Sequence, residues 1–490
     1  MPPELLNDIE RLKQGGKSLV FVWGDFNIIH PGHQRLLTFA ADCGDVLVVG
    51  IRPDSAPSVV IPHDLRLQSV RSISVVDYAF VLESSPEDFI AAARPDVVVK
   101  GQEHRHRSNP EKSVIDQYGG ELIFSSGEMR FSSIDLLRRE SNNFQFGAIQ
   151  KSFDYLQRHK ISRQTLLDVV EKFSSLNVVV IGDLIVDEYI NCDPIGMSQE
   201  DPTIVVTPIS REKFVGGAGI VAAHARGLGA NVFFHSVCGR DATAEFVKTK
   251  LAEYGVKAYL HQDHSRPTTL KQRYMTRGKT LLKVSELRQH EISNEIVSAM
   301  LQRMSKSLED ANLVIFSDFN YGCLPQMLVD EVAGICRRNG ILMVADSQSS
   351  SQIGDISRFR GMTLITPTEH EARLAVGDAT AGLVTLAEKL AEKSGSRYSL
   401  ITLGGEGVFV HCPDTPSQKI ITDTLPAMNH APKDVAGAGD SMLTSSSMAL
   451  TVGANVWEAA FIGSIAAACQ VARVGNRPLS AMEILQEIRA

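Results

Sequence analysis

With 490 residues, 43% of them hydrophobic and 22% charged, the chain is too long for one ordinary core, and two globular domains are expected. A net charge of −8 argues against a general nucleic-acid binder but leaves nucleotides open, because a nucleotide needs only local positive charge. No apolar run reaches membrane-spanning length, so no membrane partner is expected.

From the N-terminus, no basic-then-apolar signal is read, and the seven cysteines are scattered without a Cys-x-x-Cys pair. Both features suit reduced thiols in the cytoplasm. Apolar β-prone runs at 18–23, 46–51, 77–82, 96–100 and 121–125 alternate with helix-like stretches. This rhythm predicts a parallel sheet with ligands at the strand C-terminal ends. The rhythm lapses over 141–161, which reads as a linker between a domain at 1–140 and another at 162–490. A new first strand is expected at 177–182, followed by buried strands at 313–317, 341–346, 362–366 and 398–403. Polar-alternating pieces at 203–209 and 268–276 fit a small β lid over an active site.

Two short motifs carry chemistry. Directly after the first strand stand Gly24, Asp25, Phe26, Asn27, Ile28, Ile29, His30, Pro31, Gly32 and His33, and then an apolar-periodic helix. Two imidazoles at a helix N-terminus can donate to phosphate oxygens and stabilise charge developing on an α-phosphate. Gly32 keeps the backbone low beneath a nucleotide. Near the other end, Gly437, Ala438, Gly439 and Asp440 open another helix. Glycines there let backbone N–H groups approach an anion, the helix dipole favours negative charge, and an aspartate can take the proton of an attacking hydroxyl.

On these residues the C-terminal two-thirds resembles the ribokinase-like (PfkB) sugar kinases, and the first third resembles the cytidylyltransferase-like nucleotidyltransferases. The pair resembles the bifunctional heptose 7-phosphate kinase / heptose 1-phosphate adenylyltransferase family of lipopolysaccharide precursor synthesis, with the domain order reversed. That resemblance implies an N-terminal Rossmann-like fold and a C-terminal ribokinase-like α/β sandwich. In the kinase it implies Asp440 as base and Gly437, Ala438, Gly439, Thr402, Gly404 and Gly407 around ATP. Asp183, Asp187, Gly216, Gly217, Lys271, Arg273 and Asp318 would surround the sugar phosphate, and Glu371 would help place Mg²⁺. In the transferase it implies catalysis by His30, His33 and Lys100. Nucleotide contacts would come from Gly24, Phe26, Gly32, Arg66, Ser132 and Ser133, with Asp54 on the substrate. The implied partners are small sugar phosphates and nucleotides, ATP being the family default, and a homodimer is expected.

The chain departs from the family pattern in places. Phe26 is followed by Asn27 rather than Asp, and Lys100-Gly101 runs on into Gln102-Glu103-His104. In the kinase Ile220 stands for a sugar-contacting Asn, Thr368 for the Asn before the metal-associated Glu, and Ala436 for the Thr before Gly437. An apolar Ile cannot orient a hydroxyl. Two alternatives therefore stay open: a kinase-like domain without turnover beside an active transferase, or both reactions on a different sugar.

Overall fold

The computed structural model describes residues 3–29, 31–56, 59–101, 109–125, 149–201, 203–276, 279–349, 354–413 and 422–490. The chain divides into two compact units, Met1–Phe146 with Ala381–Val384, and Gly147–Thr380 with Thr385–Ala490.

In the first unit the described strands are β1 (Leu19–Gly24), β2 (Val46–Ile51), β3 (Tyr78–Val81), β4 (Val97–Gly101) and β5 (Glu121–Ser125). They pair in parallel in the order β3-β2-β1-β4-β5. Strand alternation explains why β1 and β2 read as continuous apolar runs. Leu19, Phe21, Val46 and Val48 enter one core with Phe80 and Phe89, while Val20, Val22, Leu47 and Val49 enter the other with Phe26, Leu37 and Val99. A parallel sheet covered on both faces needs apolar side chains on both. The chain winds outward from β1 to β3 and then returns to β4 on the other side of β1. This places a topological switch, the usual ligand crevice, at the C-terminal ends of β1 and β4.

The second unit is built on nine described strands: β6 (Asn177–Gly182), β9 (Asn231–Cys238), β10 (Lys257–Gln262), β13 (Leu313–Asp318), β14 (Leu342–Ser347), β15 (Leu364–Ile365), β16 (Tyr398–Thr402), β17 (Val408–His411) and β18 (Thr422–Leu425). Their order is β10-β9-β6-β13-β14-β15-β16-β17-β18, all running parallel except β17, which is antiparallel to both β16 and β18. A separate sheet, β12-β11-β7-β8, is formed by β7 (Leu184–Met197), β8 (Ile204–Gly217), β11 (Thr269–Thr276) and β12 (Lys279–Glu286). The lid expected from 203–209 and 268–276 is this sheet, and it extends well beyond those pieces. The helices Ala438–Thr451 and Val456–Val471 pack against each other almost wholly buried. Small residues permit this: a Cβ on Gly463 would collide with Ser446, whose hydroxyl donates to Ala459 O at 3.0 Å.

The stretch expected as a linker is structured over its described part. Residues 149–161 belong to the second unit, and Phe153–Arg158 is a helix. Tyr155 is fully buried and donates to Trp457 O at 3.1 Å, and His159 stacks on the Trp457 ring at 4.1 Å. Those buried aromatic contacts give a segment without regular strand rhythm its place in the second unit.

Candidate active sites

In the second unit Gly437 adopts φ 77°, and the helix Ala438–Thr451 begins on the next residue. The left-handed turn allows glycine alone here: a Cβ at Gly437 would collide with Asn476, whereas one at Gly439 would meet nothing within 4 Å. The backbone above Gly439 is thus open to an anion. Asp434 shapes the approach, accepting from Ala436 N at 3.0 Å, Gly475 N at 2.9 Å and Tyr189 Oη at 2.9 Å.

Asp440 lies in the first turn of that helix, buried, and its Oδ1 has no hydrogen-bond partner among the described residues. Burial and the nearby charge of Asp187 push its pKa up to about 7, against the opposing charge of Lys271. A carboxyl so tuned suits proton abstraction near neutral pH. Asp187, on β7, accepts from Arg273 Nη1 at 2.6 Å and from Asn476 Nδ2 at 3.3 Å. Gly216 lies directly against it, since a Cβ there would collide with Asp187 Oδ2. Lys271 Nζ stands over the rings of Tyr321 at 5.0 Å and Phe319 at 5.5 Å.

Asp183 occupies the single position between β6 and β7. Its carboxylate accepts from the backbone N–H groups of Phe319 (2.8 Å), Cys323 (3.1 Å) and Tyr321 (3.3 Å). Its own N–H donates to Ser317 O, and its carbonyl accepts from Ala218 N, just past Gly217. Asp183 therefore organises the turn after β13 instead of presenting free oxygens. Burial and then the charge of Asp318 raise its pKa to about 6. Asp318 in turn accepts from Ser347 Oγ and Arg358 Nη2, both at 2.9 Å.

On the opposite side, Thr368 and Glu371 form a capping box at the helix Glu369–Val376. Glu371 Oε2 accepts from Thr368 N and Oγ1 at 2.8 Å, and its Oε1 accepts from Ser349 N at 2.7 Å. Asp346 is buried nearby, and burial, Glu371 and Asp440 together hold its pKa well above the carboxylate range. Thr402 is joined to this segment through Thr402 N donating to Pro367 O at 2.9 Å. Gly404 and Gly407 then make a tight turn with φ 60° and 105°. Asn476, Asp434 and Asp346 were not expected as site residues. Asn476 sits in a Gly-Asn-Arg-Pro turn that carries no chemical signature.

In the first unit, His33 lies in the helix Pro31–Asp42, which also contains Gly32. Its Nδ1 is 3.1 Å from Ile28 O, so that nitrogen must carry the proton, because a carbonyl only accepts. Phe26 has φ 46° and is buried, its ring against His33 at 4.9 Å and beneath Gly24. His30, Ser132 and Ser133 lie outside the described residues.

Arg66 is placed otherwise than expected. Its side chain is wholly buried, and it donates to Ile61 O (2.6 Å), Asp25 O (2.8 Å) and Asp54 Oδ1 (2.7 Å). It is a strut between loops, with Asp54 as its carboxylate. Asp54 also pairs with His63 Nδ1 at 2.7 Å, which lowers the Asp54 pKa and raises that of His63. Lys100 is likewise held: it donates to Glu111 Oε1 and, at 2.8 Å, to Asn109 Oδ1, with the Trp23 ring 5.4 Å away. Arg52 faces the same ring at 4.9 Å.

Residues 175–482 match the pfkB family of carbohydrate kinases, and residues 21–114 match a cytidylyltransferase-like family. The chain is 32% identical over 324 residues to the bifunctional protein HldE of Desulfatibacillum aliphaticivorans, covering 65% of this chain and 64% of the relative. It is 32% identical over 320 residues to that of Helicobacter hepaticus, covering 64% of each. The chain thus spans less than two-thirds of the length of these curated relatives. Among solved structures, Escherichia coli phosphofructokinase-2 with substrates and products aligns with TM-score 0.53 at 14% identity, covering 64% of this chain and 98% of that one. Arabidopsis thaliana ribokinase complexed with ribose and ATP aligns with TM-score 0.51 at 16% identity, covering 64% and 99%. At such identities these neighbours establish the fold of the second unit.

Proposed function

Because the chain belongs to the pfkB family of carbohydrate kinases, we propose that its second unit phosphorylates heptose 7-phosphate at O1 with ATP. The first unit then transfers a nucleotidyl group, probed first with ATP, to heptose 1-phosphate. The observation that carries the kinase half is Asp440: buried, without a partner at Oδ1 among the described residues, tuned to about 7, and set in the first turn of a helix behind Gly437. Asp440 takes the proton of the anomeric hydroxyl as its oxygen bonds to the γ-phosphorus. The bond to the β-phosphate oxygen breaks in line, and ADP leaves. The N–H groups behind Gly437 hold the transferring oxygens, and Lys271 and Arg273 face the sugar phosphate.

Mg²⁺ fits this setting, since Glu371 and Asp440 add to the cost of charging the buried Asp346 and a cation would lower that cost. Asp346 and Glu371 are the residues that would hold the ion, Glu371 having three of its acceptor sites taken by Ser349 and Thr368. When bound, the ion would neutralise phosphate charge.

In the transferase half, a sugar 1-phosphate oxygen attacks the α-phosphorus and pyrophosphate leaves, with His30, His33 and Lys100 stabilising the charge. The cytidylyltransferase-like match and the placement of His33 and Lys100 at the β1/β4 crevice support this half. Ile220 is fully buried and apolar, which favours a second reading in which the sugar is another phosphorylated ketose or aldose. A homodimer through the lid is supported by the exposed Ile195, Met197, Ile204, Ile209 and Leu282. Light scattering on the purified chain tests it. The need for ATP supports a cytoplasmic location. Among the described residues no helix is long and apolar enough to cross a membrane.

The deciding experiment incubates the chain with Mg-ATP and heptose 7-phosphate, and separately with heptose 1-phosphate and each nucleoside triphosphate, followed by mass spectrometry. A heptose bisphosphate and an NDP-heptose support both halves. An NDP-heptose without bisphosphate, across a panel of sugar phosphates, leaves the second unit without turnover and refutes the kinase half.

A further inference from the structure

The pair at the end of β4 reaches beyond what a motif supplies. Lys100 is buried at 7% exposure, and Glu111, in the first turn of the helix Glu111–Tyr118, is buried at 1%. An ammonium has three N–H donors. Two are directed to Glu111 Oε1 and Asn109 Oδ1, and the third has no partner among the described residues. Glu111 Oε2 is buried without a hydrogen-bond partner among the described residues. A carboxylate kept out of water with half its acceptor capacity unused is costly to a fold. The helix does not need it as a cap: its N-cap is Pro110, with no side-chain capping bond. The Trp23 ring, 5.4 Å from Nζ, closes a further side of the ammonium.

A lysine side chain has four rotatable bonds, and locking it costs binding or barrier height unless the lock is built in beforehand. Glu111, Asn109 and Trp23 supply such a lock at the C-terminal end of β4, beside the crevice where the chain reverses its winding. We propose that Glu111 is a positioning residue for nucleotidyl transfer. Together with Asn109 it fixes Lys100 so that the remaining N–H meets the phosphates of the nucleoside triphosphate. The inference rests on the reading of the first unit as a nucleotidyltransferase with Lys100 on the nucleotide.

The test compares E111Q, E111D, N109A and K100Q in the full chain with Trp457→Phe, so that Trp23 fluorescence reports the folding of the first unit alone. Transferase kcat and the KM for the nucleoside triphosphate are measured for each. E111Q should lower kcat about tenfold while KM moves less, with the Trp23 melt unchanged, because positioning is lost and not binding surface. E111D restores the charge and should recover most of the rate. N109A, which empties no buried charge, should lower kcat by a smaller factor, roughly threefold, and keeps the question answerable if E111Q unfolds. Full kcat in a folded E111Q overturns the proposal, as does full kcat in N109A when E111Q fails to fold. Full kcat in K100Q instead overturns the reading of Lys100 itself.

Discussion

Asp440→Asn should abolish phosphoryl transfer and at the same time stabilise the second unit, and the second effect follows from the burial. The carboxyl ionises at 3.8 when exposed and at about 7 in the folded unit, and it is fully buried. At 1.36 kcal/mol per pH unit, the roughly three-unit rise makes the charged group about 4 kcal/mol costlier in the fold than in the unfolded chain. Between the two values the unfolded chain has released a proton that the folded unit keeps, so wild-type stability falls as pH rises through this window and levels off above it. Asparagine has no such proton. Its advantage should be about 2 kcal/mol at pH 5.5 and about 4 kcal/mol at pH 8. The assay uses Trp23→Phe in both proteins, leaving Trp457 as the sole tryptophan, and follows urea unfolding at its fluorescence. The wild-type kinase kcat/KM should rise with pH to a plateau with an apparent pKa near 7. An advantage equal at both pH values would refute the burial argument. Kinase turnover in Asp440→Asn above roughly 1% of wild type would refute the base.

Further substitutions probe the surrounding parts. Gly437→Ala forces a side chain into a left-handed turn and against Asn476, and should cost about 2 kcal/mol in the Trp457 melt together with kinase activity. His33→Ala should lower transferase kcat on the order of a hundredfold and leave heptose phosphorylation unchanged, measured on the same preparation. Thr368→Ala removes the hydroxyl that caps Glu369–Val376 and should cost about 1 kcal/mol, with a rise in the Mg²⁺ concentration needed for half-maximal kinase rate.

The buried strands were legible because both faces of a central parallel strand must be apolar. The run at 46–51 is β2, with those bounds and every residue buried; that at 121–125 is β5, whose bounds also match although it lies at the sheet edge. The long hairpin β7–β8 was only partly legible, since its outer half is exposed on both faces and has no core to impose a pattern. The helix at 153–158 escaped for a different reason: its burial depends on Trp457, three hundred residues away, and no local periodicity encodes that. Motifs singled out Arg66 in a helix start, Lys100 at the end of a strand and Asp183 after another, but could not give their partners. Arg66 is bonded to carbonyls and Asp54, Lys100 is held at two of its N–H groups by Glu111 and Asn109, and Asp183 accepts from three backbone N–H groups. Those partners lie on neighbouring segments whose approach only the fold determines.

The join at Asp183 bears on how such a lid can be changed. The core strand β6 becomes the lid strand β7 across this one residue, β8 runs straight into the helix Ala218–Gly227, and Asp183 ties both junctions to the turn after β13. The lid is thus not a detachable insert with its own linkers. Exchanging it for the lid of a relative would work only if Gly182, Asp183, Gly217 and the 319–323 turn were carried across as one cassette. A shuffled library cut between 183 and 217 alone should yield mostly chains with a misaligned sugar side. In the same way, lid sequence is fixed at its root by these junctions, while at the exposed tip only a pairing face would hold it, so acceptor preference can diversify along the hairpin without disturbing the strand that anchors it.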